Sequence, residues 1–267
     1  MSIIKAKSFL HEYKIRAKDK DINSLSGRQG RADLTYFINM NIFNSLNIKE
    51  NETILDIGCG DLTFFKIIEK NFNNCTLEGV LPTSEEIEKV NKEIKFKEYK
   101  NKTQISKAFS FKLPFCDNKF DKVVINGVLL LLNKEEVDNT LNEISRVSKN
   151  NATIYIGELP FVDEFKDKSY GNSIIKWLFY GLKNRGFRYF FNSLKTVFIS
   201  LFSKNQMILG VKEHYFINKE DFIKKAKKYD LVLKECFFNK QIDVNKNIIN
   251  SSTRYDYIFK IEKKRLI

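Results

Sequence analysis

The stretch Ile54-Leu55-Asp56-Ile57-Gly58-Cys59-Gly60 has the residue types to do chemistry. It is a short apolar run that ends in two glycines and leads into Phe64, Phe65, Ile67 and Ile68 at helical spacing. Glycines at a strand-to-helix turn let the backbone bend sharply and approach a ligand closely. The following helix start offers free N–H groups and a positive dipole end, which suits a carboxylate. Asp56, at the carboxyl edge of the strand, supplies the opposite charge and can hold an ammonium. An amino-acid moiety carrying both charges fits this loop. A tight turn with no ligand is the plainer alternative. A second candidate is Gly27-Arg28-Gln29-Gly30-Arg31. Its glycines leave backbone N–H groups open beside the Arg28 and Arg31 guanidiniums, a pairing that suits phosphate or carboxylate. A solvated polar loop is the alternative there.

The elements that must position these groups follow a simple rhythm. A helix face recurs at Tyr36, Phe37, Met40, Ile42, Phe43 and Leu46. Strands are expected at residues 53–57, 76–81 (stopped by Pro82), 122–125 and 152–157. Helices are expected after the glycine loop, at 84–90 with Ser84 as a cap, and at 135–148. Alternating strands and helices imply a parallel sheet with right-handed crossovers. The rhythm breaks at residues 161–213, where two aromatic-rich helical stretches carry Trp177, Phe179 and Tyr180, then Phe187, Phe190, Phe191, Leu194, Val197, Phe198 and Leu201. It resumes with a helix at 219–229 and two late strands, 231–237 and 254–261. The polar loop 239–252 joins these strands, so they can pair antiparallel.

The glycine loop stands with Leu113-Pro114-Phe115 and Phe120-Asp121, with Asn126-Gly127-Val128-Leu129, and with Glu143-Ile144-Ser145-Arg146-Val147. In that order and spacing the set resembles the class I S-adenosylmethionine-dependent methyltransferases, in their small-molecule branch. The resemblance covers residues 50–160 well and 214–262 loosely. It implies an α/β, Rossmann-like, doubly wound, mostly parallel sheet with an antiparallel last strand and a helical lid insertion. The organisation expected is an N-terminal helical cap over 1–50, a core over 51–160 and 214–263, and a lid over 161–213. The cofactor implied is S-adenosyl-L-methionine, with S-adenosyl-L-homocysteine as product and no metal.

By the same resemblance, Asp56, Gly58, Cys59 and Gly60 line the methionine end of the cofactor. Asn126 belongs to the same set. The sequence departs from the family elsewhere. The acid that usually ends the second strand and holds the ribose hydroxyls is Leu81, followed by Pro82. The Asp that usually meets the adenine amino group is Phe109, beside Ser110. Thr83, Ser84 or Glu85 could stand in for the ribose acid, whereas Glu78 points to the other face from Leu81 by strand alternation. Leu62 replaces the last glycine of the loop. Losing a charge-assisted ribose contact costs about 1.5–3 kcal/mol. The His that many relatives carry after the fourth strand is absent from Leu129-Leu130-Leu131-Leu132. The chain has two His, His11 and His214. His214 and Glu158 are the catalytic candidates: His214 precedes a segment that relatives fold back over the active site, and Glu158 follows the fifth strand at the ligand-binding edge of the sheet. Arg28, Arg31 and Tyr215 are the acceptor-binding candidates.

Composition bounds the rest. The chain has 267 residues, 43% hydrophobic and 30% charged, enough for a real core and too apolar for disorder. Four Cys in no zinc spacing exclude a disulfide scaffold and imply a reduced, cytoplasmic protein. The net charge is +13, and only 8 of the 46 basic residues are Arg. A solvated Lys surface, a small anionic substrate and a nucleic-acid or lipid partner all accommodate that balance. Low Arg content and the lack of a separate RNA-binding module disfavour nucleic acid. Basic residues beside the aromatic face at 172–203 make weak membrane-surface contact a further expectation. The reading is methyl transfer to a small anionic metabolite, with a nucleotide-linked intermediate of surface-polysaccharide decoration as the acceptor class suggested by analogy. A non-catalytic member of the fold, acting as a scaffold, is the alternative, and monomer and homodimer remain open.

Overall fold

The computed structural model describes residues 10, 13–28, 31–161, 178–179, 182–183, 186–187, 190–191, 194–195 and 215–263. Seven strands form one sheet: β1 (Thr53–Ile57), β2 (Thr76–Leu81), β3 (Lys102–Lys107), β4 (Phe120–Asn126), β5 (Ser148–Pro160), β6 (Leu231–Ile242) and β7 (Ile248–Ile261). Their order is β3-β2-β1-β4-β5-β7-β6. β1 to β5 pair in parallel, and β7 runs antiparallel between β5 and β6. Helices among the described residues include α1 (Ala32–Leu46), α2 (Thr63–Asn71), α3 (Ser84–Lys97), α4 (Lys134–Val147) and α5 (Lys219–Lys227), with 3-10 turns at Ile22–Ser26 and Leu129–Leu131.

Both faces of the sheet are buried because the central strands carry apolar residues on both faces over most of their length. Leu55, Ile57, Val123, Ile125, Ile154 and Ile156 point to one core, with Val137, Leu141 and Ile144 of α4 and Phe222 of α5. Their neighbours Ile54, Val124 and Tyr155 point to the other, with Ile38 and Ile42 of α1, Phe64, Phe65 and Ile68 of α2, and Val90 of α3. The period of two along each strand therefore sorts the chain into two layers of helices around one sheet. This is the doubly wound, mostly parallel sheet with an antiparallel strand near its end that the sequence implies.

The differences are local. β3 is not among the expected strands, because Lys102-Thr103-Gln104-Ile105-Ser106-Lys107 is an edge strand that buries only Ile105. The loop expected over 239–252 is mostly ladder: β6 and β7 pair as far as Ile242 and Ile248, leaving a turn at 243–247. Asp243 closes that turn, accepting the N–H groups of Asn245 and Asn247 at 2.8 and 2.9 Å. β5 extends past Gly157, so Glu158 lies within the strand, where the pairing with β7 shifts register between Ile156 and Leu159. His11, His214 and most of the lid expected over 161–213 lie outside the described residues.

Candidate active site

The carboxyl ends of β1, β2, β4 and β5 open into one cavity of about 360 Å³. A wall comes from each chain reversal there, as expected for an open α/β sheet. Asp56, Gly58, Cys59 and Gly60 line it from the β1–α2 turn, Leu81 and Pro82 from the end of β2, and Phe109 and Ser110 from beyond β3. Asn126 enters from β4, Glu158 from β5, and Arg28 and Arg31 from the segment before α1. Sequence-distant residues selected for chemistry are thus brought together. Tyr215 is not: its N–H donates to the Leu130 carbonyl at 3.0 Å and its ring packs on the core.

At the glycine loop the backbone passes so close to the turn after β4 that a side chain is excluded. Gly58 has a φ of 81°, and a Cβ there would sit 2.6 Å from Val128 Cγ2. Leu62, at the start of α2, adopts a left-handed φ of 62° that a glycine would hold more easily. Two carboxylates, Asp56 and Asp61, stand at this loop. Asp56 is buried, and burial together with the nearby Asp61 pushes its carboxyl up to about 7. Asp61 accepts the Thr63 N–H at 3.1 Å through one oxygen; its other oxygen and the amide oxygen of Asn126 are buried with no hydrogen-bond partner among the described residues. Burial raises the Asp61 carboxyl as well. Buried acceptors normally have donors. Two carboxylates at one loop of the cavity, one of them with a buried oxygen that no described residue meets, fit a ligand ammonium, such as that of a sulfonium amino acid.

The next section of wall is apolar. Leu81 is 2% exposed and belongs to the core, so nothing acidic stands where the family places its ribose ligand. The three stand-ins have other work: Thr83 caps α3, Ser84 accepts from Lys107 at 2.9 Å, and Glu85 pairs with Lys14 at 3.2 Å. Glu78 pairs with Lys119 on the other face, as strand alternation predicts. Glu86 lines the cavity instead, buried, with the Thr83 hydroxyl donating to it at 2.6 Å. Sequence reasoning missed it, although its place three residues after the cap Thr83 was readable as a capping pattern that turns the carboxylate back toward the strand end. Phe109 stacks on Phe111 with centroids 5.1 Å apart, offering a flat apolar surface. The Ser110 hydroxyl is spent on Thr140 at 3.0 Å.

A carboxylate between guanidiniums lines the same cavity. Arg28 donates to Glu158, and Arg254, which sequence reasoning also missed, lies 4.0 Å from the other Glu158 oxygen. Glu158 has a left-handed φ of 55°, held by its N–H donating to Asp256 at 2.8 Å. Asp256 also takes the Tyr155 hydroxyl at 2.7 Å and the Asn239 amide at 3.0 and 3.1 Å. Burial pushes the Asp256 carboxyl up to about 6. Arg31 is engaged elsewhere: Asp33 takes its fork at 2.9 and 3.2 Å, and the carbonyls of Ile242 and Asp243 at 3.0 Å each. It straps the N-terminal segment to the β6–β7 turn. Among the described residues no group of three or more His, Cys, Asp or Glu could hold a metal ion.

A family model described as a methyltransferase domain matches residues 48–188, just over half of the chain. The chain belongs to that family. Its fold is that of the class I S-adenosylmethionine-dependent methyltransferases. An uncharacterised methyltransferase of Schizosaccharomyces pombe is 30% identical over 107 residues, 38% of this chain and 38% of its own length. YrhH of Bacillus subtilis, which carries a methyltransferase name, is 26% identical over 123 residues, 46% of this chain and 66% of its own. The chain thus spans less than two thirds of either curated relative. The fold extends further than the sequence match. Phosphoethanolamine N-methyltransferase 1 of Haemonchus contortus, solved with phosphoethanolamine and S-adenosylhomocysteine, superposes with a TM-score of 0.64 at 13% identity, covering 100% of this chain and 51% of that one. No helix among the described residues is long and apolar enough to cross a membrane.

Proposed function

We propose that this methyltransferase-fold protein transfers a methyl group from S-adenosyl-L-methionine to a small anionic metabolite. One observation carries the reading: an unmatched carboxylate oxygen of Asp61 beside Asp56 at the glycine loop, and an arginine-flanked carboxylate, line one cavity. When bound, S-adenosylmethionine supplies a methyl group activated on a sulfonium. Asp56, Asp61 and Asn126 hold its ammonium end, and the apolar wall at Leu81, Pro82 and Phe109 takes the adenosine. Glu86 is the carboxylate placed to serve the ribose in place of the missing strand-end acid. Arg28 and Arg254 favour an oxyanion on the acceptor, and Glu158 accepts a proton or hydrogen bond from its nucleophile. The excess of basic residues is compatible with a nucleotide-linked intermediate of surface-polysaccharide decoration, and His214 remains a second candidate base. The membrane contact proposed for 172–203 bears on where the acceptor is met.

The test is incubation with methyl-labelled S-adenosylmethionine and a fractionated metabolite extract. Label entering a small anionic product, and absent with Glu158→Gln, is the expected result. Leu81 favours a second reading, a non-catalytic member of the fold. That reading predicts no label in any fraction from a protein that stably captures a partner.

A further inference from the structure

Exposed apolar side chains are ordinary when scattered and informative when gathered. Phe187, Phe191 and Leu194 are helical and spaced at i, i+4 and i+7, so they share one stripe. A helix of a globular protein normally turns such a stripe to the core. Here it faces out: the three are 71%, 60% and 42% exposed, and the Phe187 and Phe191 rings stack on each other with centroids 6.5 Å apart. The β6–β7 turn adjoins the stripe. A Cβ on Gly186, one residue before Phe187, would touch Val244 Cγ1 at 3.8 Å. Val244, Ile248 and Ile249 are exposed as well. Strand alternation sends Ile248 and Ile249 to opposite faces, yet both are exposed, so core packing accounts for neither. The charge around these residues has one sign. Lys183, four residues before Phe187, Lys195, next to Leu194, and Lys246, in the hairpin turn, are all exposed. Asp243 is the one acid among the described residues of 178–195 and 240–250, and it is spent inside the turn on the N–H groups of Asn245 and Asn247. The same hairpin borders the cavity: Gln241 lines it, and Arg31 of its wall donates to the carbonyls of Ile242 and Asp243.

We propose that the Phe187–Phe191–Leu194 stripe and the β6–β7 hairpin tip together dock the protein on an anionic lipid surface. The aromatic and aliphatic side chains enter the boundary between headgroups and acyl chains, and the lysines meet the lipid phosphates. A second copy of the chain suits the patch less well, because it would bring the same lysines together in a chain of net charge +13. Docking brings the cavity wall at Gln241 close to the headgroups, which is where the acceptor is then met. This deepens the proposed function and rests on it for the word acceptor. Surface binding itself stands on the patch alone and is read without cofactor or turnover, so its failure leaves methyl transfer standing.

The experiment is co-sedimentation of the full chain with vesicles of phosphatidylcholine, alone or with about one third phosphatidylglycerol, at low and high salt. Wild type is expected to bind the anionic vesicles about tenfold or more tightly than the neutral ones at low salt, since each Lys near an anionic surface contributes about fivefold. High salt should narrow that difference. Two double variants at exposed positions, Phe187→Ser/Phe191→Ser and Ile248→Ser/Ile249→Ser, should each weaken binding to anionic vesicles about tenfold while melting like wild type. Should one of them not fold, the other carries the test. If the folded variants bind like wild type, a basic chain is adsorbing by charge alone and the proposal fails. No binding to either vesicle, equal binding to both, or a dimer in solution that the same substitutions dissolve without any vesicle binding would likewise overturn it.

Discussion

Replacing Asp56 by Asn should make the protein more stable while removing its ligand affinity. Folding raises the Asp56 carboxyl from 3.8 to about 7, chiefly by burial and secondly through Asp61. A carboxyl raised in the folded state binds its proton more tightly there than in the unfolded chain. Its burden is therefore absent below about pH 4, grows as pH rises to about 7, and is fully expressed above that. About three units at 1.36 kcal/mol each give ~4 kcal/mol of destabilisation at pH 8. Asn has no charge to desolvate, but its amide must be buried, at a cost of about 1–3 kcal/mol. The expected net gain is ~1–3 kcal/mol at pH 8, a rise in Tm of a few degrees for a chain of this size. At pH 5 wild-type Asp56 is protonated, so the gain should vanish or reverse. Thermal melts of both proteins across pH 5 to 8 measure the difference, and titration with S-adenosylhomocysteine measures the loss of binding. A variant no more stable than wild type at pH 8, or equally displaced at both pH values, would refute the argument. So would a variant that binds S-adenosylhomocysteine like wild type.

Leu81→Asp restores the family's acid at the end of β2, but Leu81 is buried in the core beside Glu86. It should lower stability by about 2–4 kcal/mol without tightening S-adenosylhomocysteine, read from melts and calorimetry. Lys89 donates to the carbonyls of Asp19 and Asp21 at 2.8 Å each and to Ser24 Oγ at 3.0 Å, anchoring to α3 the segment whose Leu25 lies against Gly60 of the glycine loop. Lys89→Met should therefore weaken S-adenosylhomocysteine binding by about tenfold at modest cost in Tm, a calorimetric comparison. Gly127→Ala combines a φ of 66° with the clash on Glu158, and should cost about 1–3 kcal/mol in a denaturant melt while sparing S-adenosylhomocysteine affinity.

The sheet was legible where its strands are buried on both faces. β1, β2, β4 and the middle of β5 announce themselves as apolar runs, and the glycine loop marks the turn that opens the cavity. β3 was not legible, because an edge strand needs only one core residue, Ile105, and its polar remainder reads as loop. The long ends of β6 and β7 were hidden for a related reason: their ladder is solvated, so Asn239 to Ser252 carries no hydrophobic alternation. The β1 loop residues of the site were readable from local motif, whereas the Arg28–Glu158–Arg254 cluster joins positions that only the tertiary fold brings together. Arg31 shows the limit of the same reasoning. Its type suited an anion, but its partners Asp33, Ile242 and Asp243 lie partly on a hairpin turn that the sequence did not place beside it. Glu86 was overlooked because a capping carboxylate normally faces solvent, while here the end of β2 turns it into the cavity.

Calorimetric titration of the purified protein with S-adenosylhomocysteine tests the central claim most directly. A micromolar Kd at pH 8, weakening about tenfold at pH 6 as Asp56 takes up its proton, is what the acidic glycine loop predicts. No binding near millimolar ligand at either pH would contradict it.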